Sequence, residues 1–233
     1  MNLEPLIHPS TGCPPSKCPL CCRPDAPLFF EDKHRPYLRC PECALIFVPP
    51  SHFPTAEEEK AEYDLHDNRP DDPGYRRFLG RLFEPLSCRL SPGAPGLDFG
   101  CGPGPTLSVM FEEVGHPMSI YDPFYAPETG VLERTYAFVT ATETIEHFHH
   151  PKRDLDRLWN CVEPGGYLGL MTKLALDLEA PNALDAFRTW HYKNDRTHVA
   201  FFSRDTFRWL GKQWSAAPEF IGNDVILFVK PSS

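Results

Sequence analysis

Leu97-Asp98-Phe99-Gly100-Cys101-Gly102-Pro103-Gly104-Pro105-Thr106 carries an apolar approach into three glycines spaced two apart, and a helical pattern follows it. Glycine has no Cβ and tolerates positive φ, so a Gly-x-Gly-x-Gly turn leaving a strand can press bare backbone against a ligand. The helix that begins there presents unpaired N–H groups, which favour a carboxylate or a phosphate.

Working outward, Gly96 to Phe99 reads as a strand, Leu107 to Val114 as a helix, and Met118 to Tyr121 as a second strand ending at Asp122. Tyr136 to Ala141 and Tyr167 to Thr172 read as further strands, with a helix from Lys152 to Val162 between them. Ahead of the turn, Phe78, Leu79, Leu82, Phe83, Leu86 and Leu90 recur at helical spacing from Tyr75 onward. Arg204 to Gln213 is a last helix, and Phe220 to Gly222 and Val225 to Lys230 flank an Asn223-Asp224 turn. Strands alternating with helices predict an α/β fold: a doubly wound, mainly parallel sheet closed by a terminal antiparallel strand.

Such a sheet binds ligands beyond the carboxyl ends of its strands, and two cofactors fit the glycine turn. A dinucleotide fingerprint needs Gly-x-Gly-x-x-Gly, but its last position here is Pro105, which weakens a nicotinamide reading. Asp98-Phe99-Gly100-Cys101-Gly102-Pro103-Gly104 instead resembles the first motif of class I S-adenosylmethionine-dependent methyltransferases. Ser119-Ile120-Tyr121-Asp122, Ala137 to His147 and Glu163-Pro164-Gly165-Gly166-Tyr167-Leu168 resemble later motifs of that family, in the family's order. The resemblance covers roughly residues 75–230 and implies a Rossmann-like domain. It implies that Asp98, Phe99, Gly100, Gly102 and Gly104 approach the methyl donor, that Asp122 bonds both ribose hydroxyls, and that the adenine lies near Thr142 and Glu143. An ionised carboxylate suits the ribose because it accepts two hydrogen bonds at once. Asp98 has two candidate jobs, touching the donor's ammonium or orienting the loop through backbone bonds. Cys101 reads as a small buried apolar residue, since no neighbour in sequence would generate its thiolate.

Cys18-Pro19-Leu20-Cys21 and Cys40-Pro41-Glu42-Cys43 are separated by 18 residues, the spacing of a structural zinc site. Paired thiolates two residues apart reach one tetrahedral ion, and four close its coordination shell, so this zinc would not activate water. A small β-rich zinc ribbon is therefore expected over residues 18–48, after an irregular arm at 1–17. It resembles ribbons fused ahead of methyltransferase domains, one of them before a ribosomal-RNA guanine methyltransferase. Cys13, Cys22, Cys88 and Cys161 have no partner spacing and are expected as free thiols. Residues 49–74 read as a connector or lid, with a helix from Thr55 to Tyr63 capped by Thr55 and with Tyr63, His66 and Tyr75 beside a breaker-rich loop. Residues 75–233 would form the methyltransferase domain.

The enzyme of such a reaction must align a nucleophile and remove its proton, and histidine titrates near neutrality. His147, in the turn after the fourth strand of the family, is the first candidate base or substrate orienter, followed by His198 and Tyr192. Glu146 and His147 have a competing structural reading as loop pins. Trp190 and Tyr192 are equally suited to stacking on a planar substrate or filling the core, and His149 and His150 to capping the next helix. The net charge of −9 disfavours a non-specific polyanion partner, so a small-molecule acceptor ranks first, with RNA or protein second. A non-catalytic donor-binding scaffold stands as the alternative from another class. No run is long and apolar enough to span a bilayer, and no signal peptide is evident, which favours a cytoplasmic location; sequence leaves the oligomeric state open.

Charge-assisted hydrogen bonds are worth roughly 1.5–3 kcal/mol each. Asp122→Ala is therefore expected to weaken donor binding by about 10-fold or more, and an unchanged dissociation constant by calorimetry would remove Asp122 from the donor site.

Overall fold

The computed structural model describes residues 13–14, 17–65, 68–175 and 183–232. In chain order its elements are β1 (Leu28–Glu31), β2 (Pro36–Arg39), β3 (Ile46–Phe47), α1 (Ala56–Tyr63), α2 (Pro73–Ser87), β4 (Gly96–Phe99), α3 (Thr106–Glu113) and β5 (Met118–Tyr121). They continue with β6 (Tyr136–Thr142), α4 (Pro151–Asn160), β7 (Val162–Met171), α5 (Ala183–Thr189), β8 (Ala200–Phe201), α6 (Arg204–Trp214), β9 (Glu219–Ile221) and β10 (Val225–Val229). Short 3-10 turns lie at Thr129–Glu133, Ile145–His147 and His191–Asn194.

The larger sheet runs β5-β4-β6-β7-β10-β9. Its first four strands are parallel, and β10 lies antiparallel between β7 and β9. The chain leaves β4 toward β5 on one side and returns to β6 on the other. That reversal opens a crevice at the carboxyl ends of β4 and β6, where the glycine turn emerges. One face of the sheet packs Leu82, Leu86, Leu107 and Phe111 of α2 and α3 against Phe138 and Leu227. The other packs Leu155, Leu158, Phe207 and Leu210 of α4 and α6 against Val139, Leu168 and Phe228. These helical positions recur at three- and four-residue spacing, so each helix buries one stripe.

Several local expectations change. The helix predicted to reach Val162 stops at Asn160, and β7 begins at Val162, so Pro164-Gly165-Gly166 lies inside that strand. There Tyr136 pairs with Val162 but Phe138 with Tyr167, and the extra residues are taken up by an irregularity in which Gly165 adopts φ +79°. The Thr55 cap is present as a reciprocal capping box with Glu58. His150 holds the N-cap position of α4 without a side-chain cap bond, and His149 instead stacks on Phe53 and contacts Glu59 at 2.8 Å, so neither caps the helix with its ring. Cys13 and Cys22 are joined in a disulfide rather than free. Cys22 has φ +59°, which turns it out of the Cys18–Cys21 knuckle toward the preceding arm. His66 lies outside the described residues.

The N-terminal strands do not stand alone. They form an antiparallel sheet in the order β1-β2-β3-β8, whose last strand comes from residues 200–201. Cys18, Leu20, Leu45 and Phe47 share one continuous core with Ile145, Phe148 and Phe202. The buried Arg35 donates to the carbonyls of Lys193 at 2.9 Å, Asp195 at 2.7 Å and Arg196 at 2.8 Å. A guanidinium is suited to this, because its rigid fork serves several carbonyls without itself accepting. Among the described residues no helix is long and apolar enough to cross a membrane.

Removing Arg35 would take this donor from the carbonyls of Asp195 and Arg196, while that of Lys193 keeps the Tyr37 hydroxyl. Arg35→Ala is expected to destabilise the fold by on the order of 3 kcal/mol, read as a lower urea midpoint; a change within error would show that the tie between the N-terminal strands and the loop before β8 carries little energy.

Candidate functional site

A cleft of about 930 Å³ opens over the carboxyl ends of β4 and β6. The glycine turn forms its floor, Asp122 to Tyr125 one wall, and Glu143, Thr144, His147 and His198 another, while Glu59 and Tyr63 of α1 and Asn68 form its roof.

The turn is held by its own hydrogen bonds. Gly100 and Cys101 donate to the carbonyl of Tyr121 at 2.7 and 3.3 Å, and Gly102 donates to Asp122 Oδ2 at 3.0 Å. Gly100 and Gly102 take φ +75° and +64°, where a side chain would be strained. A Cβ on Gly104 would stand 2.2 Å from the backbone oxygen of Asn68, so the third glycine makes room for the connector itself. The same oxygen accepts from Thr106 Oγ1 at 2.8 Å, which clips the connector to the start of α3.

Asp122 gathers three amides, because Oδ1 also accepts from Phe124 at 2.8 Å and Tyr125 at 3.1 Å. An ionised carboxylate has about four lone-pair sites, so acceptor capacity remains toward the cleft. Asp98 accepts from Thr140 Oγ1 at 2.7 Å and Ser108 Oγ at 3.3 Å, tying β4 to β6 and α3 through hydroxyls rather than through loop backbone. Burial pushes its carboxyl up to about 6. Phe99 is buried, its ring 5.0 Å from that of Tyr121 and 5.8 Å from that of Phe148. Cys101 is also buried, and burial raises its thiol, as expected of an inert side chain.

His147 and His198 come together, with ring centroids 4.7 Å apart. His147 Nδ1 lies 3.2 Å from the carbonyl of Thr197, and His198 Nδ1 lies 2.7 Å from that of Tyr192. A carbonyl only accepts, so each Nδ1 carries a proton. Burial holds His198 below the usual histidine value, partly countered by Asp195, whose Oδ2 is 3.6 Å from Nε2. Tyr63 packs edge-on against His147 at 5.2 Å, so α1 reaches the same wall.

Residues 72–214 match the model of the methyltransferase domain family. The chain belongs to that family, and it is an S-adenosylmethionine-dependent methyltransferase. Its fold is similar to that of the 1,6-didemethyltoxoflavin-N1-methyltransferase of Burkholderia thailandensis, solved with 1,6-didemethyltoxoflavin and S-adenosylhomocysteine, at 16% identity and a TM-score of 0.51 over 87% of this chain and 98% of that one. It is also similar to an O-methyltransferase family protein of the same organism, at 16% identity and a TM-score of 0.53 over 79% of this chain and 66% of that one. At these identities the likeness is one of fold. No curated protein matches the sequence.

In this methyltransferase Tyr192 does not line the cleft. It is buried behind the wall, its ring 5.2 Å from that of Trp190, and both pack with Phe201 under the smaller sheet. Its hydroxyl donates to Glu146 Oε1, lies 3.3 Å from Glu143 Oε2, and lies 3.3 Å from Thr172 Oγ1. Sequence reading treated Glu143 as a neighbour of the adenine and Glu146 as a loop pin, and missed that the two carboxylates meet. Burial pushes both above the usual carboxylate range, and the charge of Glu143 raises Glu146 further. The available signal was the spacing Glu143-x-x-Glu146-His147, which a tight turn folds onto one side. Thr142 closes β6, and its carbonyl accepts from Thr144 Oγ1 at 2.9 Å. The four knuckle cysteines also come together, with Cys18 and Cys43 sulfurs 3.5 Å apart, those of Cys21 and Cys40 3.3 Å apart, and all four within 4.8 Å of one another.

A methyl group at position 104 cannot coexist with the Asn68 carbonyl where it stands. Gly104→Ala should therefore cost about 1–3 kcal/mol and raise amide exchange in residues 68–72, whereas unchanged protection there would show that the connector is not seated on the turn.

Proposed function

We propose that this methyltransferase transfers a methyl group to an oxygen, nitrogen or carbon nucleophile of a small molecule, and that the cleft above β4 and β6 takes both donor and acceptor. The observation that carries this reading is the joining of the glycine turn and Asp122 to the His147–His198 pair in one roofed cleft. S-adenosylmethionine supplies an activated methyl group whose sulfur leaves as a neutral thioether. Asp122, with acceptor capacity beyond its three amides, suits the ribose hydroxyls, and the floor at Phe99 to Gly104 suits the amino-acid portion. His147 and His198 stand together at the wall, where either can orient an acceptor or take its proton. The roof of α1 and Asn68 limits access of water.

The charges of the cleft support a small acceptor that is not a polyanion. Glu59, Asp98, Asp122, Glu133, Glu143, Asp154 and Asp195 line it, against Arg153 and Arg157. Clustered carboxylates repel a phosphate backbone. RNA or protein remains the second class of acceptor, reached through the N-terminal sheet.

That sheet suits a structural zinc ion held by Cys18, Cys21, Cys40 and Cys43. Bonds of about 2.3 Å to a tetrahedral ion put sulfurs about 3.8 Å apart, and the observed separations of 3.3 and 3.5 Å lie near that edge. Four thiolates fill the shell, so the ion would brace the knuckles rather than take part in transfer.

Incubation of the protein with methyl-labelled donor and a cell extract, fractionated into metabolites, RNA and protein, tests the reading. Label is expected in the metabolite fraction. Label confined to RNA or protein would move the acceptor to that class, and donor binding without any transfer would favour the scaffold reading.

A further inference from the structure

Glu146 is buried and Glu143 half-buried beside it, and the phenol between them has one proton to give. Tyr192 spends it on Glu146 Oε1, and its hydroxyl also stands near Glu143 Oε2. The other two oxygens, Glu143 Oε1 and Glu146 Oε2, are buried with no hydrogen-bond partner among the described residues. Glu146 has no exposed surface at all. A carboxylate left in this way costs several kcal/mol unless a cation or a donor meets it.

Two imidazoles stand near Glu146. One ligating atom from each of Glu146, His147 and His198 lies within 4.8 Å of the others. Both rings are tethered through Nδ1 to backbone carbonyls, of Thr197 and of Tyr192, which leaves Nε2 of each as the atom that would ligate. Metal-binding histidines are commonly fixed in this manner, since the tether sets both tautomer and ring direction. Tyr192 bonds Glu146 Oε1 and so holds the carboxylate in place. Glu143 adopts φ +48°, an uncommon conformation for a residue with a side chain, and its amide donates to Met171 at 2.7 Å, which fixes the turn that brings it to Glu146.

The geometry points to a divalent cation site at the wall of the cleft, with Glu146, His147 and His198 as ligands and Glu143 beside them. Two imidazoles and one carboxylate suit a first-row divalent ion such as Mn²⁺, Fe²⁺, Co²⁺ or Zn²⁺. Such a set leaves coordination positions open, here toward the cleft that His147 and His198 line. An acceptor with a hydroxyl or two adjacent oxygens would fill them, and the ion would acidify that hydroxyl as a Lewis acid. The site is a separate cluster from the four cysteines. Its part in transfer rests on the small-molecule methyl-transfer reading, and within that reading it selects an oxygen nucleophile. Its occupancy does not depend on that reading.

Mn²⁺ alone is the probe, because it is paramagnetic and prefers oxygen and imidazole to thiolate. Full-length protein titrated with Mn²⁺ is expected to bind one ion per chain, with nitrogen couplings from two imidazoles in pulsed electron paramagnetic resonance. Glu146→Gln and His198→Gln should each weaken that binding by at least about 10-fold. If those buried substitutions reduce folding, His147→Gln on the half-buried wall supplies the same comparison, and melting curves show whether Mn²⁺ still raises the midpoint. Binding of S-adenosylhomocysteine is measured on the same samples. Homocysteine-product binding without stoichiometric Mn²⁺, or Mn²⁺ without nitrogen couplings, would overturn the cation site and leave the methyl-transfer reading standing. Mn²⁺ binding with those couplings but no binding of the product would uphold the site and overturn the donor assignment.

Discussion

The backbone of Val199 joins three parts of this molecule. Its carbonyl accepts from Val48 at the end of the N-terminal sheet, and its amide donates to the carbonyl of Glu146 in the turn after β6, both at 2.9 Å. Next to it β8 pairs with β3, and just before it Arg35 binds the carbonyls that shape residues 193–196. The loop that carries His198 is therefore held by the N-terminal strands on one side and by the Glu146 turn on the other. That pairing adds to the His147 contact with the Thr197 carbonyl in setting the two histidines against each other.

This arrangement gives the four cysteines a physical meaning beyond their own knuckles. They sit in the same core as Ile145 and Phe148, which flank Glu146 and His147. Whatever steadies Cys18 to Cys43 steadies the wall of the cleft, although the cysteines themselves lie outside it. Function and stability are coupled here through packed side chains and shared backbone bonds.

On the opposite wall the constraint is one of amides. Asp122 collects N–H groups from Gly102, Phe124 and Tyr125, so the glycine turn and the loop after β5 are set by a single carboxylate. Asp98 does the same for the strands beneath, through the hydroxyls of Thr140 and Ser108. The floor and this wall of the cleft are thus held by the chain's own hydrogen bonds, and Asn68 sits over the turn because Gly104 leaves space for its carbonyl.

Much of this was legible in the chain. β4 and β5 have the bounds their apolar runs imply, and the stripe from Phe78 to Leu86 marks the packed face of α2, which ends at Ser87, short of Leu90, because burial on one side of a helix leaves a local period. The glycine turn, the acid after β5 and the paired Cys-x-x-Cys knuckles were likewise visible, since each is a short-range requirement of φ, charge or ligand spacing. What sequence could not settle depends on partners far along the chain. β8 is two residues long and exists as a strand only because β3 pairs with it. Pro164-Gly165-Gly166 became part of β7 because β6 accommodates the irregularity across from it. Cys22 found Cys13 because a left-handed residue turned it away from the knuckle. The sequence by itself determined the fold class, the family motifs and the cysteine set, all of which rest on local pattern. Only the tertiary structure decided that Tyr192 stands behind the wall, that Glu143 and Glu146 share its proton, and that His147 meets His198, because those contacts span some 50 residues and no local period records them.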